Sequence, residues 1–166
     1  MNKFIRLIKH LTAARWQVRR RLPVHSMNAI EAAIHASEKL HMGELRFAVE
    51  AGLDWPDLFA GITSRERALE VFSHLRVWDT EHNSGVLIYL LLADRKVEIV
   101  ADRGIHSRVG NSAWISICQD MESKFRSGDF GSGVLLGITE ITAMLQQHFP
   151  AHAHNPNDLS DRPTVL

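Results

Sequence analysis

The sequence predicts an α/β protein: a small mixed β-sheet sandwiched between helices, with an extra amphipathic helix at the N-terminus. Three observations lead there. Residues 85–92 (Gly-Val-Leu-Ile-Tyr-Leu-Leu-Leu) show almost no polar alternation, as in a strand covered on both faces. Residues 96–101 follow across Ala93-Asp94-Arg95; they alternate partly and are rich in β-branched residues, as a more exposed hairpin partner would be. Most of the remaining chain repeats its apolar residues at helical spacing.

Taken in order, residues 3–22 read as one basic amphipathic helix. Phe4, Leu7, Ile8, Leu11, Trp16, Val18 and Leu22 supply the apolar groups, and Pro23 ends it. A second helix spans 24–41, capped by Ser26, with Ile30, Ile34, Ser37 and Leu40 inward and His35, Glu38 and Lys39 outward. Residues 44–50 alternate as a strand. Residues 52–61 read as a long irregular connection, and Ser64 caps a third helix with Ala68, Leu69, Val71, Phe72 and Leu75 on its apolar side. After the hairpin, Asp102-Arg103-Gly104 turns the chain. A helix over 112–126, opened by Asn111 or Ser112, carries Trp114, Ile115, Ile117, Cys118, Met121 and Phe125 inward. A glycine-rich break leads to a last helix over 132–148, stopped by Pro150. The chain divides into the N-terminal helix (1–23), an α/β/α domain (24–150) and a polar tail (151–166) expected to fray. A strand, a helix and a parallel strand imply a crossover, to which the hairpin adds an antiparallel edge.

Composition narrows the function. At 166 residues with 45% hydrophobic and 23% charged residues, the chain is an ordinary globular domain rather than a disordered one. Net charge is zero, so no global field steers it to nucleic acid. The charge is uneven, because Lys3, Arg6, Lys9, Arg15, Arg19, Arg20 and Arg21 all precede the first acid, Glu31. A basic amphipathic helix of this kind suits either docking on its own domain with a solvated basic face or an anionic membrane surface reached through residues 3–22. Nucleic-acid binding by Arg19-Arg20-Arg21 is disfavoured, since no aromatic interleaving accompanies them. The single cysteine, Cys118, permits no internal disulfide and reads as an inert thiol in a reducing compartment. No apolar run reaches the length of a spanning helix, and the N-terminus lacks the pattern of a secretory signal.

Several motifs, in order, resemble the TPM domain family, which includes a plant thylakoid lumen protein of photosystem II repair and bacterial membrane-linked proteins. They are Gly43-Glu44-Leu45 after a helix ending near Glu38, Arg67-Ala68-x-x-x-Phe72-x-x-Leu75, and Asn83-Ser84-Gly85-Val86-Leu87-Ile88-Tyr89 with Asp94-Arg95-Lys96-Val97-Glu98-Ile99. Gly104, Trp114 and Phe125-x-x-Gly128-Asp129-Phe130-x-x-Gly133 complete the set. The resemblance implies the layered fold argued above. It also implies either an accessory or interaction domain acting near a membrane or protein complex, binding a divalent cation, or a metal-dependent acid-phosphatase-like hydrolase of phosphoesters. The chain lacks the family's commoner signal peptide and C-terminal membrane helix, which points to a cytoplasmic location, peripheral to the inner membrane.

Strand direction sorts the polar residues. Parallel first and second strands put residues 50–57 and the Asp94-Arg95 turn at one end. The other end gathers Asp79, Glu81, His82 and Asn83 with Asp102 and His106. Asp79, Glu81, Asn83 and Asp102 supply hard oxygen donors suited to Ca2+ or Mg2+, and a metal there could activate water against a phosphoester. The plainer alternative is a solvated loop end whose acids cap helices and turns. Asp94 reads as a turn acid, and Gly128-x-x-Gly131-x-Gly133 as a helix-packing turn rather than a phosphate loop, since no Walker lysine follows. His148, His152 and His154 could hold a metal weakly, although a fraying tail makes them a poor site, and His82 with His106 follow no zinc pattern. No nucleophile elbow, Cys–His pair or HExxH helix is present.

Overall fold

The structure, a computed structural model, describes residues 3–151 and 157–166. Four strands form one sheet in the order β3-β2-β1-β4: β1 (Glu44–Glu50), β2 (Gly85–Leu91), β3 (Lys96–Ala101) and a short β4 (Thr164–Val165). β1 and β2 run parallel from Glu44↔Gly85 to Glu50↔Leu91, and β2 pairs antiparallel with β3. Every residue of β2 is buried, as its unbroken apolar run demands, whereas β3 at the edge alternates.

The two faces of the sheet carry different loads. Leu45, Phe47, Val49, Val86, Ile88 and Leu90 point into the larger core, against α2 (Arg15–Arg21), α3 (Val24–Glu38), α6 (Arg103–Val109), α7 (Asn111–Arg126) and α8 (Phe130–His148). Ala48, Leu87, Tyr89, Leu91 and Val100 face α5 (Ser64–His74) in a smaller one. The helix–sheet–helix layering is therefore as expected. α7 and α8 approach closely because α8 offers glycines: a Cβ at Gly137 would lie 2.3 Å from Met121 Sδ, and one at Gly133 2.5 Å from Phe125. The glycine-rich stretch works as the packing turn that its sequence suggests.

Local signals misplaced several boundaries. The expected single helix over 3–22 is two, α1 (Lys3–Leu11) and α2. Between them Thr12 Oγ1 donates back to Ile8 O at 2.9 Å and Ala14 is extended. The connection expected to be irregular contains α4 (Trp55–Ala60), with proline in its first turn and left-handed Gly61 at its end. Residues after Asp102 form α6 rather than a simple turn, with the Asp102 side chain accepting from Arg103 N–H. Pro23, not Ser26, occupies the N-cap of α3. Thr63, not Ser64, caps α5, in a reciprocal capping box with Glu66. Gly110 precedes α7, and Asp129 caps α8 by accepting from Ser132 N–H. Leu40, Leu69 and Ile115, expected inward, are largely exposed, and Glu38, expected outward, is buried.

The polar tail was expected to fray, yet residues 157–166 lie against the domain. β4 adds parallel to the edge of β1 through Ala48↔Thr164 and Val49↔Val165. Arg46 on β1 holds the same segment, its guanidinium donating to Ser160 O and to Thr164 Oγ1. His152 and His154 fall outside the described residues.

Gly85 has a tighter constraint than any turn. A Cβ there would sit 1.8 Å from the carbonyl oxygen of Val77, so the segment after α5 crosses the start of β2 where only glycine fits.

Candidate functional site

Because β2 begins and β3 ends at the same edge, their flanks meet. Asp102 N–H donates to Gly85 O at 2.8 Å. A Cβ on Gly104 would come within 2.6 Å of Asn83 O and 3.2 Å of His82 O, so the start of α6 rests on the 82–83 backbone. Asn83 is left-handed, with φ 50°. Thus the structure brings the 79–83 loop and Asp102 to one end of the sheet. Their side chains are another matter: Asp79, Glu81, His82, Asn83 and His106 are exposed, and Asp102 is half-buried. Asp102 Oδ1 accepts from Arg103 N–H, while its Oδ2 is buried without a hydrogen-bond partner. Among the described residues, no three His, Cys, Asp or Glu side chains converge as a metal cage. Asp102 Oδ2 is placed to serve as one donor to a cation.

Acids that the sequence reading passed over sit nearby. Glu44 accepts from the backbone N–H groups of Asp158 and Leu159, both at 3.1 Å, and the Asp158 carboxylate accepts from Glu81 N–H. Glu38 Oε1 accepts from Leu45 N–H at 2.8 Å. Burial pushes the Glu38 carboxyl up to about 9, so it is protonated at neutral pH. Burial also raises Glu44. Burial alone would raise Asp161 too, but hydrogen bonds from Asn157, His35 and Glu38 hold it below the usual range. These acids fasten the tail to α3 and β1.

Ser37 and His41 invite comparison with a serine nucleophile and its base, since Oγ and Nε2 are 2.7 Å apart. The hydrogen-bond directions argue otherwise. His41 Nδ1 accepts from Gly43 N–H, so the proton of the neutral ring lies on Nε2 and is donated to Ser37. Ser37 in turn meets Thr142 Oγ1 at 2.6 Å, which donates to Ile138 O. Burial lowers His41 to about 4, keeping it neutral. The proton is directed toward the serine rather than away from it, and Ser37 and His41 are buried, so this is a structural relay between α3 and α8.

The opposite end of the sheet holds the firmer surprise. Asp94, expected to serve only the turn, receives Arg6 Nε at 3.0 Å and lies 3.1 Å from His10 Nε2, without hydrogen-bond alignment to the latter. His10 is buried, and its Nδ1 accepts from Leu53 N–H at 2.9 Å; Arg6 also donates to Ile62 O. Burial would raise Asp94, but His10 and Arg6 outweigh it and hold the carboxyl low. Alongside, Arg67 grips Glu50 with Nε and Nη2 at 3.0 and 2.9 Å, and Tyr89 donates to Glu50 at 2.6 Å. Burial and the Glu50 charge raise the Tyr89 phenol, and the Glu50 hydrogen bond raises Arg67.

The Arg6–His10–Asp94 contact turns α1 inside out. Arg6 and His10 face the domain, while Phe4, Ile5, Ile8 and Leu11 are 67, 49, 46 and 41% exposed. Trp16 on α2 is 58% exposed beside them in sequence. Near it lies a cavity of about 250 Å³ lined by Lys9, Trp16, Arg20, Arg21 and Arg95. No helix among the described residues is long and apolar enough to cross a membrane. Cys118 is half-buried on α7, and burial pushes its thiol up to about 12, consistent with inertness.

Comparison with known proteins follows this geometry. In solved structures, the chain is similar to the BA42 protein from the psychrophilic bacterium Bizionia argentinensis, with TM-score 0.74 and 28% identity over 87% of this chain and 95% of that one. It also shares its fold with the N-terminal domain of a protein from P. gingivalis, at TM-score 0.63 and 19% identity, covering 80% and 83% of the two chains. A comparison with curated proteins gives no match. A family model described as the TPM domain matches residues 22–144, from the end of α2 into α8, and spans β1, β2, β3 and both flanks of the hairpin; the chain belongs to the TPM domain family.

Proposed function

We propose that this protein is an accessory domain that works on an anionic membrane surface, seated there by α1 and α2. The observation that carries the reading is the inverted α1: an amphipathic helix turns Arg6 and His10 to Asp94 and leaves Phe4, Ile5, Ile8 and Leu11 to solvent. An apolar stripe of this kind calls for a partner. Lys9, Arg20, Arg21 and Arg95 next to it favour a partner with negative charge, and exposed Trp16 suits the headgroup boundary. Full-length protein is sedimented with phosphatidylglycerol vesicles and with phosphatidylcholine vesicles, at low and high salt. Binding is expected only to the anionic vesicles, weakened about tenfold by high salt and by the Ile8→Ser/Trp16→Ser double variant. Equal binding to both lipids, or an unaffected double variant, refutes it.

Cation binding at residues 79–83 and Asp102 is a second reading, supported by the unpartnered, buried Oδ2 of Asp102. Ca2+ and Mg2+ titrations followed by amide NMR should move residues 79–83 and 102–106 in the native chain and not in Asp102→Asn. Phosphoester hydrolysis depends on such an ion. A flat titration would remove both ideas together.

A further inference from the structure

A further cavity lies at neither of the two ends of the sheet described above. It measures about 550 Å³ and opens between α2, α3 and the tail strand, a volume within the range of small-molecule sites, roughly 300–1,000 Å³. Val18, Leu22 and Met27 make its apolar floor, and Val165 of β4 lines it from the tail. Arg15 and Arg19 stand one helical turn apart on α2, and Arg162 reaches the cavity from the tail. Glu31 is the one acid lining it. None of the three arginines enters an ion pair among the described residues. Three like charges around an apolar floor repel one another, and a bound anion relieves that repulsion.

We propose that this cavity binds a fatty carboxylate, with the alkyl chain on the Val18–Leu22–Met27 floor and the carboxylate among Arg15, Arg19 and Arg162. The lining selects this class: guanidinium forks match a carboxylate in two-point fashion, and among the described residues Asn28 is the one uncharged polar side chain beside them. The cavity's size suits one chain rather than a two-chain lipid. Arg15, Val18 and Arg19 of α2 and the whole tail lie outside the matched family segment, whereas Leu22, Met27 and Glu31 lie within it, so the cavity forms where the flanking segments meet the family domain. The inference stands independently of membrane seating, which uses α1 and the Trp16 side.

The test uses the full chain, isotope-labelled, titrated with sodium dodecanoate below its micelle concentration. Dodecyl maltoside, dodecyltrimethylammonium and sodium acetate serve as comparison probes. Dodecanoate should saturate, with amide shifts centred on Val18, Leu22, Met27 and Val165, and bind at least tenfold more tightly than the neutral and cationic amphiphiles. Arg19→Gln/Arg162→Gln, at exposed positions, should keep the native spectrum and weaken dodecanoate about tenfold while leaving dodecyl maltoside unchanged. Shifts centred on residues 4–11, equal binding of the cationic amphiphile, saturation by acetate alone, or an unaltered double variant would each overturn it. Vesicle binding that persists when dodecanoate fails to bind separates this result from the membrane reading.

Discussion

The two ends of the chain are fastened to the same sheet by opposite means. The N-terminal segment docks through polar side chains, Arg6 and His10 on Asp94, and leaves Phe4, Ile5, Ile8 and Leu11 exposed. The C-terminal segment docks through backbone: β4 joins β1, and Glu44 takes two N–H groups of the tail. A segment held by strand pairing completes an edge that would otherwise offer unpaired donors and acceptors. A segment held by a few polar side-chain contacts, with its greasy side exposed, is a structure prepared for something beyond the chain.

That contrast can be broken at single residues. Asp94→Ala leaves buried His10 without its carboxylate and frees Arg6. It should cost about 2–4 kcal/mol and abolish hydrogen-exchange protection in α1 while β4 stays protected. Simultaneous loss at both segments would show that they are not separate units. Next in size is Glu38→Gln. Glu38 has its folded pKa raised from 4.5 to about 9, so the folded state holds a proton that the unfolded chain releases across that window. Its contribution is complete below pH 4.5 and is lost as pH rises toward 9, at up to about 1.4 kcal/mol per pH unit. Glutamine retains the acceptor for Leu45 N–H and should flatten that decline in urea titrations between pH 5 and 9. An unchanged slope would place the linked proton elsewhere. Glu44→Ala should cost about 1–2 kcal/mol and loosen residues 158–166 without touching α1, the mirror image of Asp94→Ala. The smallest stability effect belongs to Trp16→Ser, within about 0.5 kcal/mol because the ring is exposed. Its consequence should appear in vesicle binding alone.

The same contrast explains what the sequence could reveal. The hairpin, the parallel β1–β2 pair, and the cores of α3, α5, α7 and α8 are legible because hydrophobic period is a local signal. Asp94 is not, because its partner Arg6 is 88 positions away; a turn acid and an anchor look alike in sequence. Glu38 sits on a helix where an acid is ordinarily solvated, and Leu45 N–H and the returning tail, both distant in the helical pattern, help make its burial tolerable. β4 is two residues long and takes its pairing wholly from the β1 edge. For α1, amphipathicity was visible but its direction was not, since periodicity marks two faces without saying which one meets the domain. The loop end at 79–83 and 102 was correctly brought together from strand direction, whereas how its side chains point depended on α6, a helix hidden in Asp102-Arg103-Gly104.

Gly85 bears on how relatives are to be read. Its hydrogen atom occupies the only space left by the passing Val77 carbonyl, so any side chain would force two stretches of backbone apart. The Asn83-Ser84-Gly85 signature is thus a footprint of chain crossing. A relative carrying the same glycine is expected to lay one segment over another in the same way, whatever reaction or partner it serves.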